Sequence, residues 1–461
     1  MKKKDKNLGE FEALCEDMSF DGKGVTHYQG KVVFVSGFFL KEKAIIRLTY
    51  ERSEFYIGKV VKLLEKSPYR IEPKCKVCTS CGGCCYQQLD YQEQLVYKTR
   101  KVEEAFSKFA KMKVKVEPCI GMEHPYFYRN KIQMPVGVSQ KGRIITGFYK
   151  EKTHEIVPID KCFIENEQAE VILTTIKELM KKYKIMPYDE DTRKGVIRHI
   201  LIRTSLHKKQ IMVVLVTNQD VFGGRGEFVK ALHLACPSIT TIVQNINGRA
   251  TNVILGEKER VLFGKGYIED SLCGVWFQIS AKSFYQVNPV QTEILYKTAI
   301  DFAKLTGKET VLDCYCGIGT IGLIASKHAK EVIGVEIVKE AISDAIKNAK
   351  RNGITNETFV VGDASDYMVN YARSKGKVDV VFMDPPRKGS DQKFLSSVMT
   401  LLPKRIVYVS CDPTTLARDV KILSTKYKIE KIQPVDMFPM TYHVETIVSL
   451  CLRNVKNSTT H

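Results

Sequence analysis

From about residue 271 onward, the chain alternates short apolar runs with stretches of helical character. The apolar runs occupy residues 309–313, 332–335, 358–361, 379–383 and 405–410. Runs of this length separated by helices are typical of a parallel α/β sheet. In such sheets, ligands and reactive groups gather beyond the carboxyl ends of the strands. The residues that follow each run are therefore the first candidates for a functional site.

The first run leads into a G-x-G-x-x-G turn that contains Gly317 and Gly319. Proteins that bind NAD, FAD or S-adenosylmethionine (SAM) all use such a turn, so the turn alone does not choose between them. Asp313, directly before the turn, favours SAM, because a carboxylate repels pyrophosphate but attracts the cationic methionine end of SAM. Glu336 closes the second run, where it can accept hydrogen bonds from ribose hydroxyls. Asp363 follows the third run, where it can face the adenine.

The last two runs end in groups suited to chemistry. Asp384 stands before two prolines, which restrict the backbone and can fix a carboxylate at the edge of the sheet. Cys411 follows the run 405–410, at the place where a nucleophile would be expected. The alternative is that Cys411 is a buried small hydrophobic residue, as most cysteines are.

The 461-residue chain carries 71 lysines and arginines against 52 aspartates and glutamates, a net charge of +19. Positive charge spread along a chain indicates a polyanionic partner, RNA or DNA before a membrane surface. The sequence contains no apolar run long enough to cross a bilayer, and its lysine-rich start lacks the apolar core of a signal peptide. We therefore expect a cytoplasmic monomer that binds nucleic acid, without a membrane or an obligate protein partner.

Length and pattern predict a multidomain α/β protein with three domains. Residues 1–68 alternate β-type runs with glycines, which predicts a small OB-like β-barrel. Its basic and aromatic residues suit single-stranded nucleic acid, although a solvated basic surface gives the same pattern. Residues 69–270 predict an α+β central domain, and residues 271–461 predict a Rossmann-like sheet.

Five cysteines crowd into one stretch of the central region: Cys75, Cys78, Cys81, Cys84 and Cys85. Fourteen cysteines in a cytosolic chain argue against disulfides and for metal binding or catalysis. Zinc sites usually split into two distant pairs, whereas a tight run with one remote cysteine is closer to iron–sulfur ligation. Cys162 is the best remote candidate. Spacing alone leaves open whether Cys78 or Cys85 is a ligand.

Three motifs follow in order: Asp384-Pro-Pro-Arg-Lys388, Ser410-Cys-Asp-Pro-Thr414 and Phe438-Pro-Met-Thr-Tyr-His-Val-Glu445. Together they resemble the RNA uracil-5-methyltransferase family, and the cysteine-rich stretch resembles its 23S rRNA branch. The resemblance covers essentially the whole chain, and Gly22-Lys-Gly24-Val25 is similar to a TRAM-type barrel. It implies methyl transfer from SAM to C5 of a uracil in 23S rRNA. Because the family also contains tRNA-directed members, tRNA stays open as the substrate.

The resemblance also implies roles for single residues. Cys411 becomes the nucleophile that adds to C6 of uracil, and Glu445 becomes the general base. The implied SAM pocket contains Gln286, Tyr315, Glu336 and Asp384, and the implied [4Fe–4S] ligands are Cys75, Cys81, Cys84 and Cys162. Asp412 departs from the family, in which Asn is common at this position. We expect a sheet-edge or helix-terminus field to lower the pKa of Cys411, and partial burial to raise the pKa of Glu445.

Other functions remain open at this point. A methyltransferase for exocyclic amines on the same sheet would leave Cys411 inert. A non-catalytic iron–sulfur factor that binds RNA would use the cluster as its working part. A dinucleotide oxidoreductase would account for the glycine turn, but for neither the charge nor the last two motifs.

Overall fold

The computed structural model describes residues 8–150, 153–374 and 376–453. These residues form three large sheets and one hairpin. Within these ranges no helix is long and apolar enough to cross a membrane. The predicted division into domains at residues 68 and 270 includes both chain ends, which lie outside the described ranges, and it stays a prediction.

The first sheet has six strands in the order β1-β5-β6-β4-β3-β2. Its strands are β1 (Glu10–Leu14), β2 (Asp17–Met18), β3 (Gly24–Tyr28), β4 (Lys31–Ser36), β5 (Lys43–Glu51) and β6 (Phe55–Glu65). The two edge strands, β1 and β2, follow one another in the chain. Alternating residues such as Val33, Val35 and Ile46 fill its interior. Its assignment as a TRAM-type barrel stays a prediction.

A helical segment connects this sheet to the central region. It consists of a short helix α1 (Cys78–Cys81), a long helix α2 (Tyr91–Ala105) and a π-helical turn (Phe106–Ala110) that continues α2. Asp90 caps α2, because its side chain accepts a hydrogen bond from the Gln92 N–H at 3.0 Å. Most residues of α2 are polar. Lys98 of α2 is nevertheless fully buried, and its ammonium lies 2.5 Å from the carboxylate of Asp436.

The central sheet has seven strands in the order β13-β12-β11-β10-β7-β8-β9. Its elements are β7 (Lys131–Val138), β8 (Ile144–Tyr149), β9 (Ile156–Pro158), α3 (Gln168–Lys182), β10 (Ile197–Thr204), β11 (Ile211–Thr217), α4 (Arg225–Ala235), β12 (Ile239–Ile246) and β13 (Lys258–Phe263). Strands β10 and β11 are buried along their whole length, because helices α3 and α4 cover one face and the last sheet's core covers the other.

A hairpin and a helix lead into the last sheet: β14 (Tyr267–Leu272), β15 (Val275–Ser280) and α5 (Pro289–Ala303). The last sheet and its helices comprise β16 (Thr310–Cys314), α6 (Thr320–Ala325), β17 (Glu331–Glu336), α7 (Lys339–Arg351), β18 (Glu357–Val361), α8 (Ala364–Arg373), β19 (Val380–Met383), α9 (Gln392–Leu401), β20 (Arg405–Ser410), α10 (Pro413–Leu423), β21 (Tyr427–Val435) and β22 (Glu445–Leu452).

The last sheet has the strand order β18-β17-β16-β19-β20-β22-β21. Strands β16 to β20 pair in parallel, as the sequence predicted. Strand β22 is antiparallel to both of its neighbours, so the expectation of a parallel sheet is wrong at this edge. The reason is the connection 436–444, because a parallel crossover needs a dozen or more residues. The strand order reverses between β16 and β19, which marks the crevice where ligands bind in such sheets.

Candidate active site

The side chain of Cys411 lies between a strand and a helix. Strand β20 ends at Ser410, and helix α10 begins at Pro413. Asp412 caps α10, because its Oδ1 accepts hydrogen bonds from the backbone N–H groups of Thr414 at 2.8 Å and Thr415 at 3.3 Å. The cap needs only an acceptor oxygen, so aspartate serves here as asparagine would. The strand end and the cap together fix the backbone that carries the thiol.

Glu445 reaches the same edge of the sheet from the opposite direction. It is the first residue of β22, and the register pairs Thr446 with Ser410. Because the two strands are antiparallel, the start of β22 lies beside the end of β20. The carboxyl of Glu445 is buried and close enough to the Cys411 thiol to influence its charge.

Burial sets the charge state of the two carboxyls near the thiol. It raises the pKa of Glu445 to about 8, and the charge of Asp384 raises that pKa further while the guanidinium of Arg387 lowers it. Burial likewise raises the pKa of Asp384 to about 7. The rise for Glu445 agrees with the expectation from the sequence. Both carboxyls are therefore partly protonated at neutral pH.

The expectation for Cys411 is wrong, because its pKa is raised and not lowered. Burial is the largest cause, the nearby carboxylates of Glu445 and Asp384 add to it, and the pKa reaches about 12. Arg387 acts in the opposite direction and favours the thiolate. Desolvation and the carboxylates outweigh the charge of Arg387, so the neutral thiol is favoured.

The glycine turn after β16 follows the predicted geometry. Gly317 and Gly319 have φ values of +56° and +82°, in the left-handed region that favours glycine. The Gly317 N–H donates to Glu336 at 3.1 Å, and the Val338 N–H donates to the same carboxylate at 2.9 Å. Asp313 does not face the same N–H groups. It stabilises the turn through its Oδ2, which accepts a hydrogen bond from the Gly322 N–H at 2.8 Å.

The other predicted cofactor residues lie nearby. Asp363 caps α8 through the N–H groups of Ser365 and Asp366, at 2.9 and 3.1 Å. The ring of Tyr315 lies 5.3 Å from that of Phe394, measured between centroids. The backbone carbonyl of Gln286 accepts a hydrogen bond from the Asn130 side chain at 3.0 Å, which ties it to the start of the central sheet.

One cleft of about 1380 Å³ brings most of these residues together. The predicted residues that line it are Gln286, Tyr315, Gly317, Glu336, Asp363, Asp384, Cys411 and Glu445. Gly319 is not in the lining, because it begins helix α6 behind the turn. Among the other residues that line the cleft are Arg129 and Arg387, which the sequence reasoning did not assign to the site, and His443. Arg387 and His443 stand inside the quoted motifs, whereas nothing in the sequence pattern singles out Arg129.

The clustered cysteines lie away from this cleft, around α1 and the turn after it, and all are free thiols. Burial raises the pKa of Cys84, and the charges of Cys162, Cys81, Cys75 and Cys85 raise it further, so these thiols are neighbours. The Tyr442 backbone and the charge of Lys98 lower the pKa of Cys85. In the part of the chain that the structure describes, no three His, Cys, Asp or Glu side chains form a site for a metal ion. The predicted metal site is therefore not confirmed.

The fold and the cleft define the class of protein. A glycine turn at the point where the strand order reverses, with carboxylates beyond successive strands, is the architecture of an α/β enzyme that binds a nucleotide-like cofactor. The thiol of Cys411 and the buried carboxyl of Glu445 lie at the same edge of the sheet.

The sequence matches the family of tRNA (uracil-5-)-methyltransferases over residues 90–453. The chain therefore belongs to this family of RNA uracil-5-methyltransferases, as its motifs predicted.

Two relatives extend the match to nearly the whole chain. A protein of Clostridium acetobutylicum is 45% identical over 447 residues, which cover 96% of this chain and 97% of the relative. A protein of Halalkalibacterium halodurans is 43% identical over 445 residues, with coverage of 96% and 97%. Both carry the description "uncharacterized RNA methyltransferase".

A solved structure shares the fold. It is the tRNA (uracil-54, C5)-methyltransferase of Pyrococcus abyssi in complex with S-adenosyl-L-homocysteine. The TM-score is 0.78 at 26% identity, and the match covers 95% of this chain and 100% of the other. Together with the family, this structure supports SAM as the methyl donor.

We expect Glu445→Gln to speed the alkylation of Cys411 by iodoacetamide in alkaline solution but not at neutral pH. The carboxylate raises the pKa of the thiol only when it is ionised, which requires a pH above its own pKa of about 8. At about pH 9 the gain should be roughly two- to fivefold, because a less basic thiolate is also less nucleophilic. Mass spectrometry of the Cys411 peptide measures the rate, and Glu178→Gln on the exposed face of α3 is the control. An equal gain at all pH values would contradict the charge effect.

Proposed function

We propose that the protein methylates C5 of a uracil in 23S rRNA, with SAM as the methyl donor. The observation that carries the proposal is the meeting of Cys411 and Glu445 at the mouth of one cleft, beside the glycine turn. Family membership supplies the reaction and the class of substrate. The choice of 23S rRNA rests on the resemblance of the cysteine-rich segment to that branch.

The thiol of Cys411 overcomes the low reactivity of uracil C5. When the thiolate adds to C6, a sulfur–carbon bond forms and the C5=C6 electron pair moves onto C5, where the C4 carbonyl delocalises it. The electron-rich C5 then takes the methyl group, and the sulfonium is left as S-adenosylhomocysteine. One difficult step is thus divided into easier ones by covalent catalysis. Arg387 assists, because its positive charge favours the Cys411 thiolate.

Glu445 completes the reaction as the general base. After methylation, C5 carries both the methyl group and the original proton. The carboxylate removes that proton, the electron pair re-forms the C5=C6 bond, and the Cys411 thiolate leaves. A pKa of about 8 suits this role, because a base is most effective when its pKa lies near the working pH.

The cleft walls suit SAM as the group bound beside the thiol. Its role is to supply an electrophilic methyl group. The residues proposed to hold it are Gln286, Tyr315, Gly317, Glu336, Asp363 and Asp384, and Gly319 shapes the turn behind them. Glu336 fits the ribose hydroxyls. Two backbone N–H groups of the turn hold its carboxylate in place, and each oxygen keeps a second lone pair that can accept from a hydroxyl. Asp384 fits a cationic ligand, because burial alone raises its pKa and a positive charge beside it would favour the carboxylate.

The target uracil must leave its stack to reach Cys411, so loops and weakly paired regions of the RNA are favoured. The net charge of +19 supports the binding of an RNA backbone. In the first sheet, rings and cations stand side by side, such as Lys31 over Tyr56 at 5.1 Å. This sheet is proposed as an RNA-binding surface.

Transfer RNA is the second candidate substrate, because the Pyrococcus abyssi structure is that of a tRNA methyltransferase. Incubation with methyl-labelled SAM and either 23S rRNA or tRNA, both lacking 5-methyluridine, decides between them. We expect labelled 5-methyluridine from 23S rRNA only. Labelled 5-methyluridine in tRNA alone would support the proposed reaction but would identify tRNA, and not 23S rRNA, as the substrate. Label in neither RNA would reject the proposed function.

Glu445→Gln is expected to trap the enzyme on its RNA. Addition and methylation need only Cys411 and SAM, whereas release needs removal of the C5 proton. A protein–RNA adduct that survives denaturing electrophoresis should therefore accumulate. Cys411→Ala should form no adduct and transfer no methyl group, while binding SAM with unchanged affinity by calorimetry. Product release by Glu445→Gln at the normal rate would exclude the assigned base.

The proposal includes a [4Fe–4S] cluster held by Cys75, Cys81, Cys84 and Cys162. The support is that the thiolate charges of the other three all raise the pKa of Cys84, so a bound cation would relieve their repulsion. The thiolates around a cluster stand farther apart than the ligands of a single ion, because the cluster body lies between them. The cluster's role is structural, because it would tie α1 to the segment around Cys162.

Iron content tests this ligand set. Protein purified without oxygen should contain iron, and Cys162→Ala should lose most of it. Cys85→Ala is the matched control, because Cys85 lies next to Cys84 but also beside the Tyr442 backbone and Lys98, which lower its pKa. We expect it to keep its iron and its visible absorption. Equal loss from both variants would contradict the assigned ligands.

A further inference from the structure

Tyr442 lies in the connection 436–444, next to the catalytic end of the cleft. The ring of His443, which lines the cleft, lies 4.2 Å from the ring of Tyr442 between centroids. Strand β22 begins three residues after Tyr442, with Glu445. A displacement of the Tyr442 ring would therefore disturb His443 and the start of β22 together.

The first sheet packs directly on this tyrosine through the turn between β2 and β3. A Cβ atom on Gly22 would lie 2.8 Å from the Tyr442 Cβ and 3.3 Å from a ring atom of Tyr86. Gly22 is buried and has a φ of +78°. The turn is held in shape by Asp21, whose carboxylate accepts from the Ser19 hydroxyl at 2.6 Å and the Lys23 ammonium at 2.6 Å. Glycine is thus required at this contact for both space and backbone conformation.

A small apolar cluster surrounds this contact. Its members are the buried Phe39, Tyr86, Leu89 and Tyr97, with Met18, Leu40, Cys85 and Tyr442 packed against them. They come from the first sheet, the cysteine-rich segment, helix α2 and the connection 436–444. The Tyr86 ring meets those of Phe39 and Tyr97 edge to face, at 6.4 and 6.1 Å. Apolar packing of this kind holds the first sheet in a fixed place on the rest of the chain.

Helix α2 holds Tyr442 from another side. The ammonium of Lys101 donates a hydrogen bond to the Tyr442 carbonyl at 2.9 Å and lies 4.9 Å from the centre of its ring. Tyr442 therefore has contacts with the first sheet and with α2, and neither element belongs to the sheet that carries Cys411.

We propose that Tyr442 is a positioning residue that links the docking of the N-terminal sheet to the geometry of the catalytic end. The N-terminal sheet then contributes to the rate of methyl transfer, in addition to any RNA that it binds. The inference rests on the proposed methylation of uracil. Its physical basis is that reaction rates fall steeply when reacting groups are misplaced by a fraction of an ångström to an ångström.

The test compares Gly22→Ala with Gly30→Ala. Gly30 lies in the turn between β3 and β4, has a φ of +77°, and has nothing within 4 Å of an added Cβ. Both variants carry the same backbone strain, but only Gly22→Ala displaces Tyr442. In single turnovers with saturating SAM and RNA, we expect Gly22→Ala to methylate about 10- to 100-fold more slowly, and Gly30→Ala to stay within about twofold of the parent protein. SAM affinity should be unchanged in both.

Tyr442→Leu provides a second route to the same answer if Gly22→Ala folds poorly. It should slow single turnovers to a similar extent. The double variant Gly22→Ala/Tyr442→Leu should be no slower than the slower single variant, because both changes disrupt the same contact between Gly22 and Tyr442. The proposal is overturned if Gly22→Ala and Gly30→Ala react equally fast. It is also overturned if Gly22→Ala is slow only below saturation and reaches the full rate when RNA binding is saturated, since the sheet would then act only through affinity.

Hydrogen exchange separates this inference from the proposed function. We expect residues 438–444 to exchange faster in Gly22→Ala than in Gly30→Ala, with or without RNA. If the parent protein methylates no RNA, the proposed function fails. The hydrogen-exchange comparison still shows whether the contact at Gly22 holds residues 438–444 in place. Equal exchange in the two variants would overturn the inference.

Discussion

The antiparallel pairing of β20 and β22 is the constraint on which the site depends. It brings the end of one strand beside the start of the other, so that Cys411 and Glu445 share one edge. The connection 436–444 that precedes β22 is held by a fully buried ion pair between Lys98 and Asp436. Tyr91 adds a hydrogen bond to the same carboxylate at 2.9 Å. Removing one partner of such a pair leaves an uncompensated buried charge, so helix α2 and the connection depend on one another.

Desolvation is the second principle of the site. It raises the pKa of the Cys411 thiol and of the carboxyls of Glu445 and Asp384 together, so the protonated forms of these three groups are favoured. Arg387 opposes this trend for both Cys411 and Glu445. A cationic methyl donor in the same cleft would shift the balance in the same direction, because positive charge favours ionised carboxylates and thiolates. Reactivity would then develop only when the site is filled.

The catalytic end is built by several parts of the chain and not by the last sheet alone. Helix α2 supplies Lys98 and Lys101, the first sheet supplies the turn at Gly22, and the start of the central sheet supplies Arg129. Cys84 and Cys162 pack with Met440 and Tyr128, so the cysteine-rich segment contacts the connection 436–444.

The sequence by itself determined the parallel strands β16 to β20, the glycine turn and the residues at the strand ends, because apolar periodicity and turn chemistry are local properties. It also pointed to Cys411 and Glu445 through motifs. Only the tertiary structure decided that β22 runs backwards, that Arg129 enters the cleft, and that the pKa of Cys411 rises. Strand direction depends on the length of a connection and on the space left in the sheet, and a pKa depends on burial among distant residues. The local sequence pattern therefore determines neither the strand direction nor the pKa.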